Sequence, residues 1–245
     1  MVETCQDMRN VKAACIGIEK KAFEELDVKV PLMISGTIEP MGTTLAGQTI
    51  EAFYLSIEHL KPLSVGLNCA TGPEFMRDHI RSLDTLSECF ISCYPNAGLP
   101  DEDGHYHESP QSLAHKVKAF ADEGWVNIVG GCCGTTPDHI RAMKESLEQS
   151  APRKRTARPG HAVSGLESLQ YDDSMRPLFV GERTNVIGSR AFKRMIAEGK
   201  FEEAAEIARA QVKRNAHVID VCMADPDRDE MQDMETFFCN MSQKK

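Results

Sequence analysis

The sequence predicts an α/β fold of parallel strands and helices, arranged as two incomplete (β/α)8 TIM-type barrels joined by a linker. Three observations lead there. Short, nearly continuous apolar runs alternate with stretches of helical period, the pattern of strands buried on both faces of a parallel sheet. A strand–loop–helix unit recurs, because Asp78-His79-Ile80-Arg81 follows Cys69 and Asp138-His139-Ile140-Arg141 follows Cys132, each with a Gly and a Pro between. The alternation stops near residue 150 and resumes near residue 177.

Taken in order, a helix fits residues 8–26 and a strand residues 30–35 (VPLMIS). A helix over 45–60 precedes the strand 63–69 (LSVGLNC), and a helix over 72–86 precedes the strand 89–94 (CFISCY). Ser109-Pro110 opens the next helix, with Ser as N-cap, Pro in the first turn, and Leu113, Val117 and Phe120 as its apolar stripe. The strand 125–132 (WVNIVGGC) follows, and Thr136-Pro137 opens a helix expected to face inward with Ile140, Met143 and Leu147. A full barrel takes about 250 residues. Residues 1–150 hold four such strands, so half a barrel is expected, in a chain truncated relative to a closed one.

Residues 151–176 lack periodicity, and Arg153, Lys154, Arg155 and Arg158 read as a solvated basic linker. The second series, 177–245, begins with a strand at 178–181. Ser189 caps a short helix there, and Phe201, Ala205, Ala208 and Val212 stripe the next. A strand at 217–222 (HVIDVC) leads into an acidic turn at 224–230. That turn imitates a calcium loop, but Glu230 stands where Gly is required and Thr236 where Glu is, so its acids are expected to favour the following helix N-terminus instead.

Composition narrows the function. The 245 residues are 41% hydrophobic and 27% charged, which excludes a disordered chain, and the net charge of -9 argues against a general nucleic-acid binder. No apolar stretch reaches the roughly 18 residues of a membrane span, and residues 1–10 lack the apolar core of a secretory signal. A cytoplasmic protein without nucleic-acid or membrane partners is expected. Nine cysteines is an odd number, unlike a disulfide scaffold. Cys15, Cys89, Cys93 and Cys239 read as small buried hydrophobes.

Cys69, Cys132 and Cys133 read differently. Cys69 ends one predicted strand, Asn96 follows the next, and the Cys132–Cys133 pair ends the one after. In a parallel barrel the C-terminal strand ends share one rim, so the three thiols converge there. Adjacent cysteines reach one metal only through a sharp turn, which Gly130, Gly131 and Gly134 permit. Three thiolates and a vacancy select a catalytic zinc; the alternative is a tight turn with two incidental cysteines. His105 and His107 read as solvated loop residues. Gly181-Glu182-Arg183-Thr184-Asn185 reads either as a presenter of polar groups or as a plain turn.

SGTI (35–38), GLNCA (66–70), YPNAGLP (94–100) and VNIVGGCCGTTPDHI (126–140) resemble the homocysteine-binding barrel of the cobalamin-dependent methionine synthase family. PLFVGERTNVIGSRAFKRMI (177–196) and HVIDVCMADPD (217–227) resemble the start of that family's methyltetrahydrofolate-binding barrel. The resemblance implies a methyltransferase of methionine biosynthesis, with Cys69, Cys132 and Cys133 as zinc ligands and Asn96 able to take the fourth position. It implies Glu3 as the substrate-binding acid, although the strand that should carry it looks absent. On the pterin side it implies Glu182, Asn185 and Asp220, while Cys222 replaces a frequent Asn. Methylcobalamin, held by a domain outside this chain, would donate the methyl group and be recharged from 5-methyltetrahydrofolate. The partners implied are homocysteine, the missing barrel halves and the cobalamin domain. The competing readings are a single-barrel thiol methyltransferase with a sulfonium or betaine donor, and a non-catalytic zinc-binding fragment.

Overall fold

The computed structural model describes residues 1–155 and 160–242; Arg158 of the basic run lies outside the described residues. The chain forms two compact units, Met1–Gln170 and Tyr171–Lys245. Among the described residues no helix is long and apolar enough to cross a membrane.

The first unit is built on an open parallel sheet of five strands in sequence order: β1 (Val2–Cys5), β2 (Met33–Gly36), β3 (Ser64–Asn68), β4 (Phe90–Tyr94) and β5 (Ile128–Val129). The sheet does not close into a barrel. The edge strand β1 corrects the sequence reading, which counted four strands and took Glu3's own strand to be missing. Val2 registers with Ile34 and Cys5 with Gly36. Four residues preceding a helix carry too little pattern to be recognised as a strand without the partner they pair with.

Between the strands run α1 (Met8–Ile18), α2 (Ile50–Ile57), α3 (Pro73–Leu86), α4 (Pro110–Asp122) and α5 (Pro137–Leu147). Local signals place their starts. Ser109 accepts from the Ser112 amide at α4, and at α5 Thr136 forms a capping box in which His139 takes the role that Glu or Gln usually plays. The helix expected over 8–26 is α-helical only to Ile18 and continues as a π-helical segment, Glu19–Glu25, with no buried side chain. The strand expected over 125–132 pairs only at Ile128–Val129, because the chain turns away at Gly130-Gly131.

Ile34, Val65, Leu67, Ile80, Leu83 and Ile91 form a core in which each is 1% exposed or less. Each such side chain contributes about 1.5–3 kcal/mol by leaving water. The repeated Asp-His-Ile-Arg words have opposite fates: Ile80 is fully buried, whereas Ile140 is 47% exposed. The word falls at different points of the two helices, and in α5 the inward face begins with His139, whose Nε2 lies 2.9 Å from the Glu108 carbonyl oxygen. Met143 is buried as expected; Ile140 is not.

The stretch 151–176 is also more ordered than expected. Arg153 is 4% exposed, not solvated, and Arg155 lies over the Phe90 ring at 4.5 Å. Strands β6 (His161–Ser164) and β7 (Ser168–Tyr171) pair as a separate two-stranded sheet. The Ser164 hydroxyl lies 2.9 Å from that of Ser56 on α2, and the Leu166 carbonyl accepts from the Thr49 amide.

The second unit pairs β8 (Val180–Asn185) in parallel with β9 (Val218–Cys222), flanked by α6 (Arg190–Ala197), α7 (Phe201–Lys213) and α8 (Glu230–Ser242). Ser189 caps α6 as expected. Phe192, Phe237, Ala204, Ala205 and Ala208 fill its core, but Val212 is 57% exposed, so the stripe of α7 ends a turn early. Asp229 accepts the Gln232 amide at the start of α8, in keeping with the reading of the acidic turn. Cys15, Cys89 and Cys93 are buried as expected; Cys239 is exposed, because α8 turns Phe237 inward instead.

Candidate metal centre

The C-terminal ends of β3, β4 and β5 bring together residues far apart in sequence. Cys69 leaves β3 with φ 64, and Ala70 follows with φ 59. Two successive left-handed non-glycine residues are uncommon, and each costs of order 1 kcal/mol unless the surroundings hold it. Here Cys69 donates its amide to the Tyr94 carbonyl at 3.1 Å and accepts from the Thr71 amide at 2.7 Å. The second arm is the turn after β5. Cys132 donates to the Pro95 carbonyl at 2.8 Å, and its own carbonyl accepts the Thr135 hydroxyl at 2.7 Å. Glycine is required on either side of the pair. A Cβ on Gly131 would meet the Thr135 side chain at 2.2 Å, and one on Gly134, at φ +79, would meet Tyr106 at 2.4 Å.

These turns leave Cys69 Sγ 3.6 Å from Cys133 Sγ, and Cys133 Sγ 4.0 Å from Cys132 Sγ. All three sulfurs lie within 4.8 Å of one another. Four ligands placed tetrahedrally at about 2.3 Å from zinc stand about 3.8 Å apart, so the spacing fits three corners of a zinc tetrahedron. The donor set fits as well, since three soft thiolates favour zinc over hard cations. Burial pushes the Cys132 thiol up to about 12, and Cys69 and Cys133 beside it act in the same direction. Three thiolates this close ionise together only when a cation shares their charge.

Asn96 is 3% exposed, and its Oδ1 accepts the Cys133 amide at 3.1 Å. Its position therefore sets the backbone of one of the clustered cysteines. Glu3, on β1, is exposed and lines an open cleft of about 550 Å3 with Thr4, Gln6 and Asp7; none of the three cysteines lines it. Burial is the main cause that raises the Tyr94 phenol above the usual range. His105 and His107 are solvated as expected, and His107 Nε2 sits 2.5 Å from Asp101.

Two residues of the site escaped the sequence reading. Tyr106 packs over Gly134, and its phenol is raised first by burial and then by Cys133, Cys69 and Cys132. Asn68, 2% exposed, lies directly before Cys69 at the centre of a buried hydrogen-bond network. The signal for Asn68 was a polar residue at the end of an otherwise apolar strand; a tyrosine in a polar loop gives none.

The family model described as homocysteine S-methyltransferase matches residues 1–147, a span holding all five strands of the parallel sheet and all three clustered cysteines. The chain belongs to the homocysteine S-methyltransferase family. Membership makes it a methyltransferase-family protein and makes homocysteine a fitting substrate. The homocysteine S-methyltransferase match ends at α5, so Glu182, Asn185 and Asp220 lie beyond it. In the second unit, Asn185 ends β8 and Asp220 lies in the middle of the adjacent β9, with Asn185 Nδ2 3.4 Å from Asp220 Oδ2. Asn185 Oδ1 also accepts the Ile187 and Gly188 amides, and exposed Glu182 lies 3.4 Å from Arg183 Nε.

Proposed function

We propose that this chain is part of a cobalamin-dependent methionine synthase, in which residues 1–150 bind zinc and homocysteine, 151–176 connect, and 177–245 begin the pterin-binding unit. The reading rests above all on three sulfurs at tetrahedral spacing on the rim of a homocysteine S-methyltransferase domain. Cys69, Cys132 and Cys133 would hold the metal, leaving one corner open for the substrate sulfur. Bound by these three cysteines, zinc would supply Lewis acidity that lowers the pKa of an incoming thiol and favours the homocysteine thiolate. In the proposed transfer the thiol proton would leave to solvent, the substrate sulfur would bond to the methyl carbon, and the bond from that carbon to its donor would break with the electron pair staying on the donor. We assign methylcobalamin as the donor, recharged from 5-methyltetrahydrofolate.

The residues of this chain set the geometry. Asn96 fixes the Cys133 backbone through its Oδ1, whose second lone pair would be free to take the fourth position before substrate arrives. Glu3 supplies a carboxylate for the substrate ammonium group. Glu182, Asn185 and Asp220 supply polar contacts for the pterin. A second parallel βα unit after the family domain favours this reading over a single-barrel enzyme using a sulfonium or betaine donor. Nine free cysteines suit the reducing cytoplasm.

Metal analysis of protein purified without chelator tests the reading, with about one zinc per chain expected. Cys69→Ala, Cys132→Ala and Cys133→Ala should each lower it, and undiminished zinc in all three would overturn the ligand assignment. Homocysteine should shift the zinc X-ray absorption edge, while calorimetry should show no binding of methyltetrahydrofolate to this chain. Tight folate binding without a zinc response would transfer the function to the second unit.

A further inference from the structure

Directly before Cys69, Asn68 spends every polar atom of its side chain on another strand. Its Oδ1 accepts the Thr4 amide at 3.0 Å and the Ser35 hydroxyl at 2.7 Å, and its Nδ2 donates to Thr4 Oγ1 at 2.9 Å. Its backbone carbonyl, in the peptide that continues into Cys69, accepts the Thr37 hydroxyl at 3.0 Å. The ends of β1, β2 and β3 are thus locked through one buried amide. The lock holds two strained residues: Thr4 has φ 56 and Cys69 has φ 64. A β-branched residue at positive φ is a genuine outlier, and such strain persists only where neighbouring contacts over-determine it. Both outliers are bonded to Asn68 or adjoin it.

We infer that Asn68 is a positioning residue of the metal centre, fixing the left-handed turn that aims Cys69 at Cys133 and tying it to the Glu3–Thr4 edge strand. The inference rests on the zinc reading and deepens it. Cys69 comes from a different strand than the Cys132–Cys133 pair, so its aim depends on what holds the end of β3. Without the Asn68 amide, the Thr4 amide and the Ser35 hydroxyl lose their acceptor. Cys69 is then free to relax out of the left-handed region and carry its sulfur away from the cluster. The consequence is a site with two thiolates where the intact chain has three.

The test uses the full chain loaded with cobalt(II) in place of zinc, because thiolate-to-cobalt charge-transfer absorption reports how many thiolates bind. Asn68→Ala should lose about a third of that intensity, as Cys69→Ser does, and the double variant should lose no more than either. Its zinc affinity, by chelator competition, should fall about 10–100-fold, the usual cost of removing a group that orients a metal ligand. Circular dichroism checks that the variant is folded. Should Asn68→Ala not fold, Thr37→Val removes only the bond to the Asn68 carbonyl and should still weaken zinc several-fold. A folded Asn68→Ala with the full three-thiolate spectrum and unchanged zinc affinity overturns the inference and leaves the metal site standing. So does an unaffected Thr37→Val if that variant has to serve. An intact chain with no cobalt–thiolate absorption at all overturns the metal reading itself.

Discussion

Replacing Arg153 with Met should destabilise the first unit by about 3 kcal/mol. The Arg153 guanidinium is buried where α3 ends. It donates to Asp84 Oδ1 at 2.5 Å and to the carbonyls of Asp84 at 2.7 Å, Ser87 at 2.7 Å and Cys89 at 3.0 Å. Two of these carbonyls lie in or at the cap of the last turn of α3, where backbone acceptors have no helical partner. Methionine fills similar volume but donates nothing, so three carbonyls and a carboxylate lose a charged donor together. Removing one partner of a buried ion pair costs about 3–5 kcal/mol. The Asp84 side chain is 31% exposed and regains water, which sets the expected cost at the lower end, about 3 kcal/mol. For a unit of this size that is a drop of about 6–12 °C in Tm. Urea titration followed by circular dichroism measures it. Asp84→Asn in a double-mutant cycle separates the ion pair from the carbonyl contacts. A loss below about 1 kcal/mol for Arg153→Met would refute the assignment of Arg153 as an anchor and restore the reading of a solvated linker.

Gly134→Ala should abolish stoichiometric zinc while leaving the fold intact, since its Cβ would strike Tyr106 at 2.4 Å from a backbone with φ +79; metal analysis beside a normal far-ultraviolet spectrum checks this, and full zinc retention would contradict the turn geometry. Alkaline pH should weaken the fold. Burial raises Cys5 to about 11 and fully buried Cys93 to about 12, from 9.0. The folded state keeps these protons while the unfolded chain releases them, so stability is fully present below pH 9 and declines toward pH 11–12. The slope should be about 1.4 kcal/mol per pH unit for each thiol, and Cys93→Ala should reduce it in denaturation series at pH 8 and 10.5. An unchanged slope in Cys93→Ala would refute the buried-thiol account.

What the sequence by itself determined was local. Ser109-Pro110 and Thr136-Pro137 start their helices because a capping oxygen and a fixed proline φ act within one turn. The apolar runs at 64–68 and 90–94 are strands because a parallel sheet covers both faces, and the glycines around Cys132–Cys133 forecast a turn no side chain could follow. The one long-range inference, convergence of the three thiols, needed the rule that C-terminal strand ends of a parallel sheet share one rim, and the structure brings the three sulfurs within 4.8 Å of one another. The tertiary structure decided everything that depends on who sits opposite whom. β1 exists because β2 pairs with it, Ile80 and Ile140 part company because their helices face different neighbours, and Arg153 is buried because the end of α3 lies over it. Asn68 acts through Thr4, Ser35 and Thr37, residues 64, 33 and 31 positions away. Helical and strand period carries information over a few residues, whereas the satisfaction of a buried polar group is settled by atoms the chain brings back only after folding.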